Sequence, residues 1–247
     1  MNPTGIYFCL MTFVWAFVWY PALVTAALVS QLFDRRKRRL VDWVVYLWAK
    51  TSMLSCFYKP RVTGLENLPP KSEALLVIPN HTSFLDIFSL SGFVPRRLKY
   101  VSKIEILRIP LIGWAMRLAG HIAIRRTDRK SQLQTFKDTV DSLEDGNTVV
   151  TFAEGTRSKD GRLKKFKKGP FKMSARAKVD ILPVSICDLH RWMPPSALLP
   201  VSFPRQVEIK IHPVVKVGDR EESEVLAEVY SAINGGLPDF QKFEKPQ

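Results

Sequence analysis

The chain has 247 residues, 46% of them apolar, and carries 37 Lys and Arg against 23 Asp and Glu, a formal charge of +14. This is enough apolar material for one sizeable core, or for one domain plus a membrane segment, and the basic surplus predicts an anionic partner: nucleic acid, a phospholipid surface or a phosphorylated substrate. The three cysteines, Cys9, Cys56 and Cys187, are far apart with no C-x-x-C pair, which argues against a disulfide framework and a zinc site and suits a reducing compartment.

No charged side chain occurs in residues 1–33, and residues 6–30 are dominated by Phe, Trp, Val, Leu and Ala. A spanning helix needs ~20 such residues. The run stops at Asp34-Arg35-Arg36-Lys37-Arg38-Arg39, a cluster suited to the cytoplasmic face of a bilayer or its equivalent. A cleaved signal peptide fits poorly, because there is no basic segment ahead of the apolar run and the run is too long. Pro21 sits inside it and predicts a kink, so the segment either crosses the bilayer or dips into one leaflet and returns. Residues 40–58 add Trp43, Tyr46, Trp48, Phe57 and Tyr58, with Asp42 and Lys50 among them. That mixture fits either a helix in the headgroup zone or one packed on the soluble domain. The predicted division is a membrane anchor with an interfacial helix over 1–59 and an α/β domain over 60–247, separated near Pro60 by the turn-rich 64–70 segment.

Beyond Pro60, strand-like runs occupy 74–79, 98–102, 121–125, 148–152, 181–186 and 207–212, with helical segments between them. The clearest helix is 129–144, where Leu133, Phe136, Val140 and Leu143 form one apolar stripe ending at Gly146-Asn147. A second helix is predicted over 221–233. Alternation of this kind argues for an α/β fold: a mixed sheet flanked by helices, preceded by the N-terminal membrane-embedded helical segment.

The first chemical signal is N-H-T-S-F-L-D at 80–86, between a strand ending at Pro79 and a helix opening near Asp86. Five residues is the wrong spacing for neighbours on a regular helix. It works if His81 lies in the turn and Asp86 in the first helical turn. Asp86 then accepts the Nδ1 proton and leaves Nε2 as a base, with an ordinary imidazole value near ~6.5 suited to neutral pH. The second signal is V-V-T-F-A-E-G-T-R-S at 149–158, an apolar strand breaking into a polar turn. Gly155 permits close backbone approach, and Arg157 offers a planar fork for phosphate.

Taken with G-H-I-A-I-R-R at 120–126 and I-L-P-V-S-I at 181–186, these blocks resemble, in order, those of the glycerolipid acyltransferase family, in particular 1-acylglycerol-3-phosphate acyltransferases. The F-K-K-G run at 166–169 is also similar to the family's. Ala153 stands where that family usually has proline, and Ala123 where Phe is common; both leave the functional side chains in place. The resemblance covers residues 64–213 and implies acyl transfer from a thioester, acyl-CoA or acyl carrier protein, to the free hydroxyl of lysophosphatidic acid. His81 is the implied general base and Asp86 its orienting acid. Arg126, Arg157 and Lys103 are candidates for the acceptor phosphate. Glu154 is assigned to ordering the acceptor or the arginines, and Gly155 and Thr156 to shaping the loop. No cofactor and no metal is implied, and no covalent intermediate is required, because a thioester is already activated. Ser83 lacks a G-x-S-x-G setting and is not read as a nucleophile.

The basic segment 157–178, with a single acid at Asp160, is either a solvated loop, a contact with the phospholipid bilayer or a receiver for the donor's phosphates. His121 is read as structural. Glycerol 3-phosphate or another lysophospholipid is the alternative acceptor. Nucleic acid is not an expected partner, since no helix-turn-helix, zinc spacing or aromatic-basic platform is present. The expected location is a membrane: the bacterial inner membrane, or a plastid or endoplasmic reticulum membrane, with the catalytic domain on the cytoplasmic or equivalent face.

Overall fold

The computed structural model describes residues 2–125, 128–203 and 206–243. Its first element, α1 (Pro3–Phe33), begins where Asn2 accepts from the Thr4 N–H at 3.1 Å and Pro3 occupies the first turn. It is one continuous helix and does not turn back at Pro21. By length and composition it is a candidate membrane span. Its buried positions are Gly5, Phe8, Thr12, Ala16, Leu23, Ala26, Ala27 and Ser30, mostly small residues that let α2 (Arg39–Ser55) lie close. The opposite face is apolar and exposed, with Phe17 at 83%, Leu28 at 65% and Phe33 at 84%.

Both ends of α1 are tied to the rest of the molecule. Asn2 Nδ2 donates to the Val201 carbonyl at 2.6 Å. At the other end, Arg36 pairs with Asp145 at 2.7 Å, and Arg38 donates to the carbonyls of Arg117 and Leu118 at 2.9 and 2.8 Å.

Seven strands form one sheet: β1 (Arg61–Thr63), β2 (Leu76–Pro79), β3 (Leu98–Lys103), β4 (Ile122–Ile124), β5 (Thr148–Val150), β6 (Ile181–Cys187) and β7 (Glu208–Ile211). The order is β1-β7-β6-β2-β5-β3-β4; every pairing is parallel except β6 with β7. The central strands are buried on both faces, which is why they read as unbroken apolar runs. Successive side chains serve two cores. Val77 joins Phe8, Met53 and Leu90 beneath α3 (Leu85–Phe93), so the N-terminal helices share a core with the sheet. Leu76 and Ile78 face the other way, toward α5 (Arg129–Glu144), α6 (Gly169–Ala177) and α7 (Glu222–Gly236).

The mixed sheet flanked by helices is the expected architecture. Three elements were not anticipated. β1 is three residues long and α4 (Ile112–Leu118) seven, too short for a clear pattern, while the apolar side of α6, with Phe171 and Met173, lies inside the basic 157–178 segment. The α5 stripe also differs from the expectation. Val140 and Leu143 are buried, but Leu133 is 65% exposed, and Thr135 and Thr139 take the inner positions. The helix is rotated so that each threonine hydroxyl bonds a carbonyl four residues back.

A buried ion pair joins α2 to β3. Lys99 Nζ donates to both oxygens of Asp42 at 2.6 and 2.8 Å and to the Ala119 carbonyl at 2.8 Å, with Lys99 2% exposed. Asp42→Ala should strand that ammonium and lower stability by roughly 3–5 kcal/mol. The double change Asp42→Leu with Lys99→Met should recover most of the loss. Thermal unfolding in detergent checks this; equal losses in the single and double variants would refute it.

Candidate active site

The parallel strands β2 and β5 are adjacent, and the two motif loops leave their carboxyl ends side by side, the usual place for a site in an open α/β sheet. Asn80 begins the first loop. Its side-chain amide donates to the Ile186 carbonyl at 3.0 Å and accepts from the Ile186 N–H at 2.7 Å, extending the pairing with β6 as the β2 backbone departs.

Asp86 stands in the first turn of α3 and is fully buried. Its Oδ2 accepts from three donors: His81 Nδ1 at 2.8 Å, the Thr82 N–H at 2.9 Å and the Ser83 N–H at 3.0 Å. The five-residue spacing therefore works by folding the turn over the carboxylate. A carboxylate oxygen that already accepts two amides can only accept from the ring, so Nδ1 carries the proton and Nε2 the lone pair. The Ser83 hydroxyl is spent on the Met193 carbonyl at 2.8 Å and on the Leu85 N–H at 3.2 Å.

The second loop grips His81 from the other side. Glu154 Oε1 accepts from the His81 N–H at 2.6 Å, and the Ser158 N–H donates to the His81 carbonyl at 2.8 Å. The 154–158 turn thus brackets a single residue. Phe152 stacks on the imidazole, with centroids 3.7 Å apart and planes 19° from parallel.

Glu154 was expected to order the acceptor or the arginines. Its oxygens are instead taken by two backbone amides, those of His81 and of Lys164 at 3.1 Å. Gly155 has φ +78°, a conformation that favours glycine, and a Cβ there would meet only the flexible end of Lys167. Thr156 accepts from Lys164 Nζ at 2.6 Å. Arg157 is half-buried, has no ion pair among the described residues, and lines a basic hollow with Lys159 and Lys165. Lys103 lies at the end of β3, exposed and 3.4 Å from Glu105, and is not brought to the His81 cluster by any contact among the described residues. Arg126 lies outside the described residues. His121 accepts from the Tyr100 N–H at 3.1 Å, and burial with the nearby Lys99 charge pulls it down to about 3, so it is neutral and structural.

A cavity of about 430 Å³ opens beside Phe152 and Gly155, walled by Val101, Leu133, Phe136 and Met173, with Lys167 on its lining. The exposure of Leu133 follows from this: it lines the cavity, while Leu143 of the same stripe enters the core. Phe152 and Asn80 went unassigned in the sequence. A polar residue directly after a buried strand was the available signal for Asn80; Phe152 offered none.

The acyltransferase family model matches residues 59–187. A 1-acyl-sn-glycerol-3-phosphate acyltransferase of Pseudomonas aeruginosa is 32% identical over 182 residues, covering 73% of this chain and 69% of that protein. The chain belongs to the acyltransferase family. The chloroplastic 1-acyl-sn-glycerol-3-phosphate acyltransferase BAT2 of Brassica napus is 40% identical over 190 residues, 77% of this chain and 55% of BAT2. An acyltransferase of the same description from Chlamydomonas reinhardtii is 40% identical over 207 residues. The chain spans 55% and 61% of the lengths of these two relatives. The crystal structure of the 1-acyl-sn-glycerophosphate acyltransferase PlsC from Thermotoga maritima superposes with a TM-score of 0.81 at 27% identity, covering 94% of this chain and 92% of that one. Family membership covers both motif loops.

Burial raises Glu154 from the ordinary 4.5 to about 8, against the downward pull of the two amides it accepts from. The folded chain therefore keeps a proton that the unfolded chain has released, and stability falls as pH rises from 4.5 to about 8. Glu154→Gln should flatten that slope. It should also cost roughly 1–3 kcal/mol, because the two N–H donors reach different oxygens and the amide NH₂ would face one of them. Unfolding midpoints measured across this pH range decide; an unchanged slope contradicts the assignment.

Proposed function

We propose that the chain transfers a fatty acyl group from an acyl thioester, acyl-CoA or acyl carrier protein, to the sn-2 hydroxyl of 1-acyl-sn-glycerol 3-phosphate, forming phosphatidic acid. The observation that carries this reading is the 2.8 Å contact of His81 Nδ1 with Asp86, on a residue whose backbone is bracketed by the turn that bears Arg157. Family membership and the names of the relatives support it.

In this reaction His81 Nε2 takes the hydroxyl proton as the oxygen attacks the thioester carbonyl. Asp86 stabilises the resulting imidazolium through Nδ1. The tetrahedral intermediate then expels the thiolate, which recovers the proton from Nε2 and leaves as a thiol. Phe152 fixes the ring plane, so Nε2 keeps its aim throughout. Arg157 holds the acceptor phosphate by charge-assisted hydrogen bonds, and Arg126 and Lys103 are proposed to assist it. The cavity beside Phe152 gives an apolar chain of a substrate room close to the reacting atoms.

We also infer that the bilayer is a partner, and that α1 lies along it instead of crossing. A 31-residue helix is about 46 Å long. A span would place its ends on opposite sides of a hydrocarbon layer ~30 Å thick. Both ends of α1 instead bind the α/β domain, at Val201 and at Asp145, while its free face is apolar.

His81→Ala should lower kcat by about 10⁴-fold in an assay of lysophosphatidic acid with each thioester donor. Arg157→Ala should chiefly raise the acceptor KM, by about 10- to 100-fold. Near-normal turnover by His81→Ala, or a preference for glycerol 3-phosphate as acceptor, would defeat the reading. For α1, single cysteines at Asn2 and Arg35 in sealed vesicles should both react with an impermeant maleimide from the same side. Labelling from opposite sides would establish a span.

A further inference from the structure

A second cleft lies at the opposite end of the sheet from His81, at the amino ends of β2, β3 and β5. It is lined by Lys37, Arg39, Lys71, Arg96 and Arg97, with Asp42 as its single acid. Its volume is about 90 Å³, where a single water needs roughly 10–15 Å³ by the same measure. That is room for a phosphate group together with a few waters.

The described residues do not balance this charge. Asp42 gives both oxygens to Lys99. Lys37, Lys71 and Arg97 have no ion pair among the described residues, and Arg39 meets Asp34 only at 3.8 Å. Arg96 forms the floor and is 7% exposed. Its guanidinium donates to the carbonyls of Pro69, Pro70 and Glu73 and to the Thr148 hydroxyl, and no carboxylate among the described residues bonds it. A buried cation neutralised only by carbonyl dipoles, under a ring of further cations, is costly unless an anion completes it. Lys37 is drawn inward: its Nζ lies 2.7 Å from where a Cβ at Gly146 would be, and Gly146 has φ +83°.

The residues next in sequence to the cleft's lining point to the source of the anion. Leu32 and Phe33 are 78% and 84% exposed at the end of α1, and Leu40 and Trp43 are 50% and 56% exposed on the first turns of α2. Exposed apolar side chains within five residues of the lining Lys37, Arg39 and Asp42 match the boundary between acyl chains and headgroups. We propose that this cleft binds the phosphate of an anionic phospholipid, at a site separate from the one around His81. It holds the basic end of α1 at the lipid surface whether or not the acyl-transfer reading stands.

Native mass spectrometry of the full chain in detergent, with phosphatidylglycerol or phosphatidylcholine added, tests the site. One phosphatidylglycerol should bind in preference to phosphatidylcholine. Lys71→Gln with Arg97→Gln, both at exposed positions that the fold does not need, should weaken it about tenfold or more. Arg35→Gln with Arg36→Gln removes the same charge from outside the cleft and should leave the adduct in place, as should Arg157→Ala. Retention in the Lys71/Arg97 variant, equal loss in the Arg35/Arg36 variant, or loss in Arg157→Ala would each overturn the proposal. Displacement by inorganic phosphate at equal concentration would assign the cleft to a free anion and overturn the lipid assignment.

Discussion

The rest of the site depends on how the backbone of His81 is held. Its N–H and its carbonyl are both bonded by the 154–158 turn, and its ring is held separately by Asp86 and Phe152. A loop histidine ordinarily samples several rotamers and backbone states, and each costs a reactive group its aim. Here two loops from adjacent strands fix each other, so the imidazole has one orientation before any substrate arrives. The acid that closes the bracket is the costly part. Glu154 is buried with no cation bonded to it among the described residues and is pushed toward its neutral form, a stability cost concentrated at the site.

Much of this was legible in the residues. The strands were visible because both faces are buried and the runs are apolar; the His81–Asp86 spacing was workable only with a turn ahead of the helix, and the ordered blocks of the family resemblance singled the pair out. Glu154 was legible as important and illegible as to role. A carboxylate beside arginines suggests an ion pair, whereas its partners are amides, one 73 positions earlier in the chain, that no spacing argument reaches. The α5 stripe shows the same limit. Periodicity located the helix Arg129–Glu144, but a cavity in the fold cannot be distinguished from a core by pattern, and Leu133 lines the first while Leu143 fills the second.

Charge is distributed to match the two ends of the sheet. At the carboxyl ends, Arg157, Lys159 and Lys165 surround the turn that holds His81. At the amino ends, Lys37, Lys71 and Arg97 gather over Arg96. Between them α1 presents an uncharged outer face along its whole length. The net +14 is thus resolved into separate basic regions joined by an apolar strip, a pattern that a uniform solvated surface does not produce.

The hydrogen bond from Asn2 to Val201 spans 199 positions of sequence. During synthesis the first helix emerges from the ribosome long before its terminal partner exists. Its apolar outer face is therefore available to lipid while its inner face still lacks the sheet it will cover. Loop closure over such a distance comes late and slowly. On the proposed placement of α1 along the bilayer, maturation runs from lipid to sheet: the helix settles on its surface first, and the sheet assembles against a segment already in place.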